Sequence, residues 1–204
     1  MSPTLGWVGE RRDAVRNRAR IVAAAEVEFR AAGATVPLDR VAQRAGVGRG
    51  TLYRHFPDRE ALIAAVYTAR VDALERHVAT LPAEHRLEHL VAEISAQQVD
   101  APGLFAAAHA AHGGDPRLAE VERRATALLA DALDDARRRG RVRPDVTVDD
   151  VRLLFAMVEG VLAAEQPARL HAAVQRALVL ALRGVLVDAP DRLPEPTLDL
   201  AGPG

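Results

Sequence analysis

Cysteine is missing from this 204-residue chain. No disulfide can staple it and no thiolate can hold a metal, a usage compatible with the reducing cytoplasm, where the chain is expected to reside. Lysine is missing as well, so all 27 basic residues are arginine, whose planar fork suits bidentate contact with phosphate. Aromatic residues amount to 3% while apolar residues reach 49%, and that apolar mass is mostly Ala, Leu and Val. A sizeable core can form, but from strong helix formers rather than β-branched and ring-rich strands. No uncharged apolar run approaches the roughly 18 residues of a membrane span, and the arginine-bearing start lacks the apolar segment of a secretory signal. Strand-like alternation and repeats are also absent. The expected class is therefore all-α.

The charge is small in sum, −1, but unevenly placed. Residues 1–60 carry 11 arginines against 7 acidic residues, whereas the rest of the chain carries 16 against 21. A basic head on an acidic body points to a polyanion as partner of the head.

Helical signals divide the chain. Residues 1–12, with Pro3, Gly6 and Gly9, are expected to form a flexible arm. A first helix is predicted from Asp13 to about Ala32, with Val22, Ala25 and Phe29 on one face and Gly33 as its stop. Pro37 opens a second, in which Leu38, Val41, Ala42 and Ala45 repeat at helical spacing until Gly46 ends it. A third runs from Arg49 to about Phe56, and Pro57 breaks it. Asp58 caps a fourth from Arg59 to about Thr80. Further helices are expected over about 84–100, 102–111, 116–139, 148–164 and from Pro167 to near Val187. The third of these, 116–139, has Asp115 and Pro116 at its entry and Gly140 at its exit, and Thr147 with Asp150 makes a capping box before 148. The tail from Asp188 carries four prolines in 17 residues and is expected to be disordered.

The stretch GVGRGTLYRHF, residues 46–56, joins two short helices through glycines. That spacing predicts a helix-turn-helix. Gly46 can take the left-handed conformation that ends one helix, Val47 can fill the gap between the two, and Leu52 and Phe56 at i and i+4 can bury one face of the next. The face left over holds Arg49, Gly50, Thr51, Tyr53, Arg54 and His55. In a helix-turn-helix the start of the second helix meets base edges and its neighbours bind phosphate. Gly48 and Gly50 keep that start slim enough for close approach to DNA.

The run from Ala19 to Tyr67 resembles the DNA-binding domain of TetR-family transcriptional regulators, carried by Ala25, Phe29 and Gly33, then VAQRAGV, then GTLYRHF, then Asp58-Arg59-Glu60 before Leu62. Residues 137–162 are similar to the segment preceding the dimerisation helices in many members. The resemblance implies a DNA-binding domain over 13–57, an effector-binding and dimerisation domain over 58–187, a homodimer on a palindromic duplex operator, and release by a small-molecule effector. It places Arg49, Gly50 and Thr51 at base and nearby phosphate contacts, Tyr53 and His55 at phosphates, Arg59 at another phosphate, and Arg40 on the helix that crosses the backbone. Two departures stand out. Gly48 replaces a common serine or threonine, and Pro37-Leu38 replaces threonines that cap the second helix and touch phosphate.

The remainder carries no catalytic signature: there is no HExxH, Glu-x-x-His, GxGxxG, Walker or GxSxG pattern. His85/His89 and His109/His112 have metal-compatible spacing on a helix, but surface or pocket-edge roles are preferred, and no metal or cofactor is expected. A bundle of five helices can instead enclose a ligand cavity. By resemblance its lining is sought among Gln97, Leu104, Phe105, His109, Leu128 and Phe155, with Glu159 the sharper candidate as a carboxylate in the apolar stretch Leu153 to Ala164. The last two helices are apolar on more than one face and must be covered on both sides. Leu153, Leu154, Val158, Val179 and Leu182 are expected at a two-fold four-helix interface. Two readings compete with a ligand-responsive regulator: a helical-bundle enzyme, and a regulator controlled by a protein partner.

Overall fold

The computed structural model describes the backbone of residues 4–112 and 115–187, and the side chains of 12–108, 115–166 and 168–187. The tail expected beyond Asp188 lies outside the described residues, as does the side chain of His109. Nine helices are described: α1 (Thr4–Ala32), α2 (Leu38–Ala45), α3 (Arg49–His55), α4 (Arg59–Val78), α5 (Arg86–Asp100), α6 (Leu104–His112), α7 (Pro116–Arg138), α8 (Val148–Ala164) and α9 (Leu170–Val185). Short 3₁₀ turns, Ala83–His85 and Pro167–Arg169, lead into α5 and α9. There is no strand among the described residues, only an isolated antiparallel bridge between Val142 and Leu186. The chain is all-α.

Most helix limits follow the local chemistry. Asp58 accepts a 2.6 Å hydrogen bond from the Ala61 amide, Asp115 one of 2.9 Å from Arg117, and Thr147 and Asp150 form the reciprocal capping box expected of their spacing. One limit is corrected: α1 begins at Thr4 rather than Asp13. Gly6 and Gly9 each lower helix propensity by about 1 kcal/mol, which weakens a helix without blocking its hydrogen-bond ladder.

Two apolar clusters organise the packing. The first joins Ile21, Ala25 and Phe29 of α1, Leu38 and Val41 of α2, Leu52 of α3 with Phe56 just beyond it, and Leu62 and Val66 of α4; Leu104 of α6 and Leu118 of α7 close it from the far side. The second joins Leu74 of α4 to α5, α7, α8 and α9. Helix α4 thus starts in one core and ends in the other. Any tilt of α4 is felt by both.

Candidate nucleic-acid interface and inner cavity

Gly46 has φ +62° and ends α2, its amide and that of Val47 turning back to Gln43 and Ala42 carbonyls. Arg20 of α1 reaches under this turn and donates from Nη2 to the carbonyl of Ala45 at 2.5 Å. The positive φ demands glycine here, and a Cβ on Gly46 would lie 2.7 Å from that nitrogen and push the Arg20 fork aside. Glu28, 3% exposed, pairs with Arg44 at 2.6 Å and Arg40 at 2.9 Å, pinning α2 to α1. Arg18 lies 5.0 Å over the Phe56 ring. The corner is held rigidly against α1 before any partner arrives.

On that support α3 presents Arg49, Gly50, Tyr53 and Arg54 to solvent, with Gly48 at its start and Thr51 and His55 half-buried. Arg49 pairs with Asp39 at 2.8 Å on an exposed surface, where such pairs hold at most about 1 kcal/mol and are readily exchanged. The His55 ring is tilted against Phe56 and its Nε2 is buried without a partner. Burial first, then the charges of Arg54 and Arg18, hold its pKa below the ordinary histidine value. Its buried Nε2 is not placed for the phosphate contact expected of it. Arg40 is partly committed to Glu28. Arg59 turns inward: its Nη1 donates to the carbonyls of Ala34 at 2.6 Å and Val36 at 2.8 Å, which makes it a clamp on the loop between α1 and α2 instead of an outward phosphate ligand. The resemblance that implied phosphate contact could not show two carbonyls, 25 and 23 residues earlier in the chain, competing for the same fork.

Gly48 and Gly50 differ from Gly46. Neither has positive φ, and a Cβ added at either meets nothing within 4 Å. The fold has no use for glycine at Gly50, where alanine would favour the helix by about 0.5–1 kcal/mol. Gly50→Ala should therefore raise the melting temperature by roughly 1–4 °C, while an added methyl in a tight external contact weakens duplex binding by about 1–3 kcal/mol. Gly46→Ala should do the reverse to stability, lowering the melting temperature. Thermal melts and fluorescence anisotropy with duplex DNA read both; unchanged binding by Gly50→Ala would remove the close-approach argument.

Behind α4 lies a cavity of about 560 Å³, within the range of small-ligand sites. Of the seven expected lining residues, Gln97, Phe105, Phe155 and Glu159 line it. Leu104 does not, because it is fully buried in the first core. Leu128 does not, because its neighbour Leu129, one helical step round α7, faces the space. The composition gave no sign of Tyr67, Gln98, Thr126 and Arg152, which also line it. Tyr67 stands edge-on to Phe105 with centroids 5.5 Å apart, and burial, aided by Glu122, pushes its hydroxyl up to about 12. Gln98 donates from Nε2 to the Phe155 carbonyl at 3.1 Å and to Glu159 Oε1 at 2.9 Å, tying α5 to α8. Among the described residues no group of three or more His, Asp or Glu side chains is placed to hold a metal ion.

Cavity and corner are joined through one side chain. Arg70, 2% exposed on α4, donates to Glu26 of α1 from Nη2 at 2.5 Å and Nε at 3.2 Å, and from Nη1 to the Gln97 carbonyl of α5 at 2.9 Å. No periodicity or motif pointed to it.

The expected dimer residues are largely corrected. Leu154, Val158, Val179 and Leu182 are buried inside the second core of the same chain. Leu153 is 60% exposed, and with it Met157 at 53% and Leu180 at 51%. Both helices are apolar on two faces, as read, but hydropathy does not say which face turns inward. None of the described helices is long and apolar enough to cross a membrane.

Residues 21–66 match the model of bacterial regulatory proteins of the tetR family, and residues 82–187 match that of the C-terminal domain of SbtR-like transcriptional regulators. A curated helix-turn-helix-type transcriptional regulator of Staphylococcus aureus is 33% identical over 86 residues, covering 42% of this chain and 46% of its own length. The chain thus spans about half the length of the curated relatives it matches. A solved TetR transcription regulatory protein from Mycobacterium vanbaalenii is 32% identical, with a TM-score of 0.57 over 87% of this chain and 99% of that one. SmeT, the repressor of the Stenotrophomonas maltophilia multidrug efflux pump SmeDEF, is 25% identical, with a TM-score of 0.59 over 88% and 96%.

Proposed function

This chain belongs to the TetR family of bacterial regulatory proteins, and from that premise we propose that it is a repressor which binds a palindromic operator as a homodimer and is released by a small-molecule effector. The observation that carries this reading is the pairing of an outward α3 face with an inner cavity through α4. DNA contact is assigned to residues 13–57, and effector binding and dimerisation to 58–187. Arg49, with Gly50 and Thr51 beside it, reads bases at the start of α3. Tyr53 and Arg54 stand towards phosphates. The two-fold assembly sets two such helices about one DNA turn apart, ~34–36 Å or somewhat more.

An effector seated against Gln97 and Gln98 shifts α5 and α8 relative to α4. Arg70 carries that shift to Glu26 in α1, and the spacing of the two heads changes. Effector and operator then oppose each other through one reciprocal coupling free energy. The solved SmeT is a repressor by its own description, which favours repression here. Among the described residues the cavity's contacts do not favour the enzyme reading: Glu159 meets the amide of Gln98, and Glu122 meets Arg152.

In vitro selection of bound duplexes is expected to return a palindrome. On that sequence Arg49→Ala should weaken binding by about 1–3 kcal/mol and relax preference at one position in each half-site. Equal weakening on operator and unrelated duplex would assign Arg49 to phosphate alone, and failure to bind any duplex at low salt would refute the proposal.

A further inference from the structure

Taking the inner cavity as the effector site, as proposed above, we infer that the effector is a lipophilic cation: a multi-ring apolar body bearing a positive charge, with Glu159 as its counter-ion. The charge balance of the lining favours this class. Three carboxylates, Glu122, Asp149 and Glu159, border the cavity against one guanidinium, Arg152. Arg152 is already engaged, by Glu122 at 2.5 Å and Asp149 at 3.5 Å. Glu159 is different. Among the described residues its only partner is the neutral amide of Gln98. A carboxylate set in an apolar wall without a cation attracts one.

A second, independent observation concerns unmet hydrogen bonds. Gln98 is 1% exposed, and its orientation is fixed because Nε2 serves two acceptors, the Phe155 carbonyl and Glu159. That leaves Oε1 as an acceptor, buried without a partner, on the same side chain that holds Glu159. A positive end seated against Glu159 lies beside this unmet acceptor. Gln97, 5% exposed, has the opposite need: its Nε2 is buried without a partner and calls for an acceptor oxygen elsewhere on the ligand. Tyr67, Phe105 and Phe155 supply ring surface, which attracts a cation as well as an apolar body. Tyr67, with its hydroxyl pushed up to about 12, stays neutral and adds no competing charge.

Calorimetric titration of the full chain with tetraphenylphosphonium and tetraphenylborate, nearly isosteric ions of opposite sign, tests the class, with the neutral apolar dye N-phenyl-1-naphthylamine as a third probe. The cation is expected to bind roughly tenfold or more tightly than the anion, a margin of about 1.4 kcal/mol. Glu159→Gln keeps the bond to Gln98, and should lose that tenfold preference; Glu159→Lys should reverse it. Ala125→Trp, which fills the cavity, should abolish binding of all three probes while thermal melting confirms the fold. Equal binding of both ions, preference for the anion, or indifference to Glu159→Gln overturns the cation assignment and leaves the sensor reading standing. Failure of all three probes, or binding untouched by Ala125→Trp, overturns the cavity as effector site and both readings together.

Discussion

Arg70→Met should lower the melting temperature by about 6–12 °C. The guanidinium it removes is buried and shared between Glu26 of α1 and the Gln97 carbonyl of α5. Deleting one partner of a buried pair costs about 3–5 kcal/mol because the other charge stays behind in low dielectric. For a chain of this size each 1 kcal/mol is worth roughly 2–4 °C. Here the lower end applies, since Glu26 retains Arg30 at 3.6 Å. Pairing the change with Glu26→Leu replaces both charges by apolar groups and should recover most of the stability. The functional loss should not be recovered. In Arg70→Met/Glu26→Leu the operator and a cavity ligand are each expected to bind, but the ligand should no longer weaken DNA binding, whereas wild-type coupling is of order 1–3 kcal/mol. Anisotropy titrations with and without saturating ligand measure it. A stable double variant that still couples the two sites would confine Arg70 to a structural role.

The contrast between Arg70 and Arg49 shows what the sequence made legible. Arg49 sits in a short segment where every spacing is local, so the glycine turn, the buried Leu52 and Phe56 and the outward polar face follow from helical periodicity alone. Arg70 sits in an ordinary amphipathic helix, and its partners are 44 and 27 residues away. Nothing local marks it. The same division runs through the cavity. Glu159 could be singled out as a carboxylate in an apolar run, but the choice between Leu128 and Leu129 turns on one step of helix phase that a nearly continuous apolar pattern leaves undetermined. Leu104 was misplaced for a different reason: α6 packs towards the DNA-binding corner, and only tertiary contact says so. Arg59 shows the limit of resemblance, since its position matches a phosphate ligand while its guanidinium serves the carbonyls of Ala34 and Val36.

The covering of α8 and α9 leads to the second large effect. Because Leu154, Val158, Val179 and Leu182 already fill the internal core, the proposed homodimer is expected to use the exposed apolar residues instead: Leu153 and Met157, one turn apart on α8, and Leu180 on α9. The helices are joined by a short connection through the turn Pro167–Arg169, so they run as an antiparallel pair in which Leu153 and Leu180 stand at similar distances from that connection. Two such pairs related by a two-fold axis make a four-helix interface in which each residue meets its symmetry mate's surroundings. Leu153→Glu/Leu180→Glu places four carboxylates in that interface and removes apolar area whose burial contributes about 1.5–3 kcal/mol per leucine. Since both side chains are already solvated in the single chain, its melting should change only through loss of the dimer. Sedimentation or light scattering is expected to shift from two copies to one. Operator affinity should fall by roughly 10²–10⁴, because the second head is no longer delivered at high effective concentration. Met157→Glu alone should weaken the dimer in the same direction and by less. A wild-type chain that sediments as a single copy at operator-binding concentrations, or a double variant that remains paired, would place the interface elsewhere.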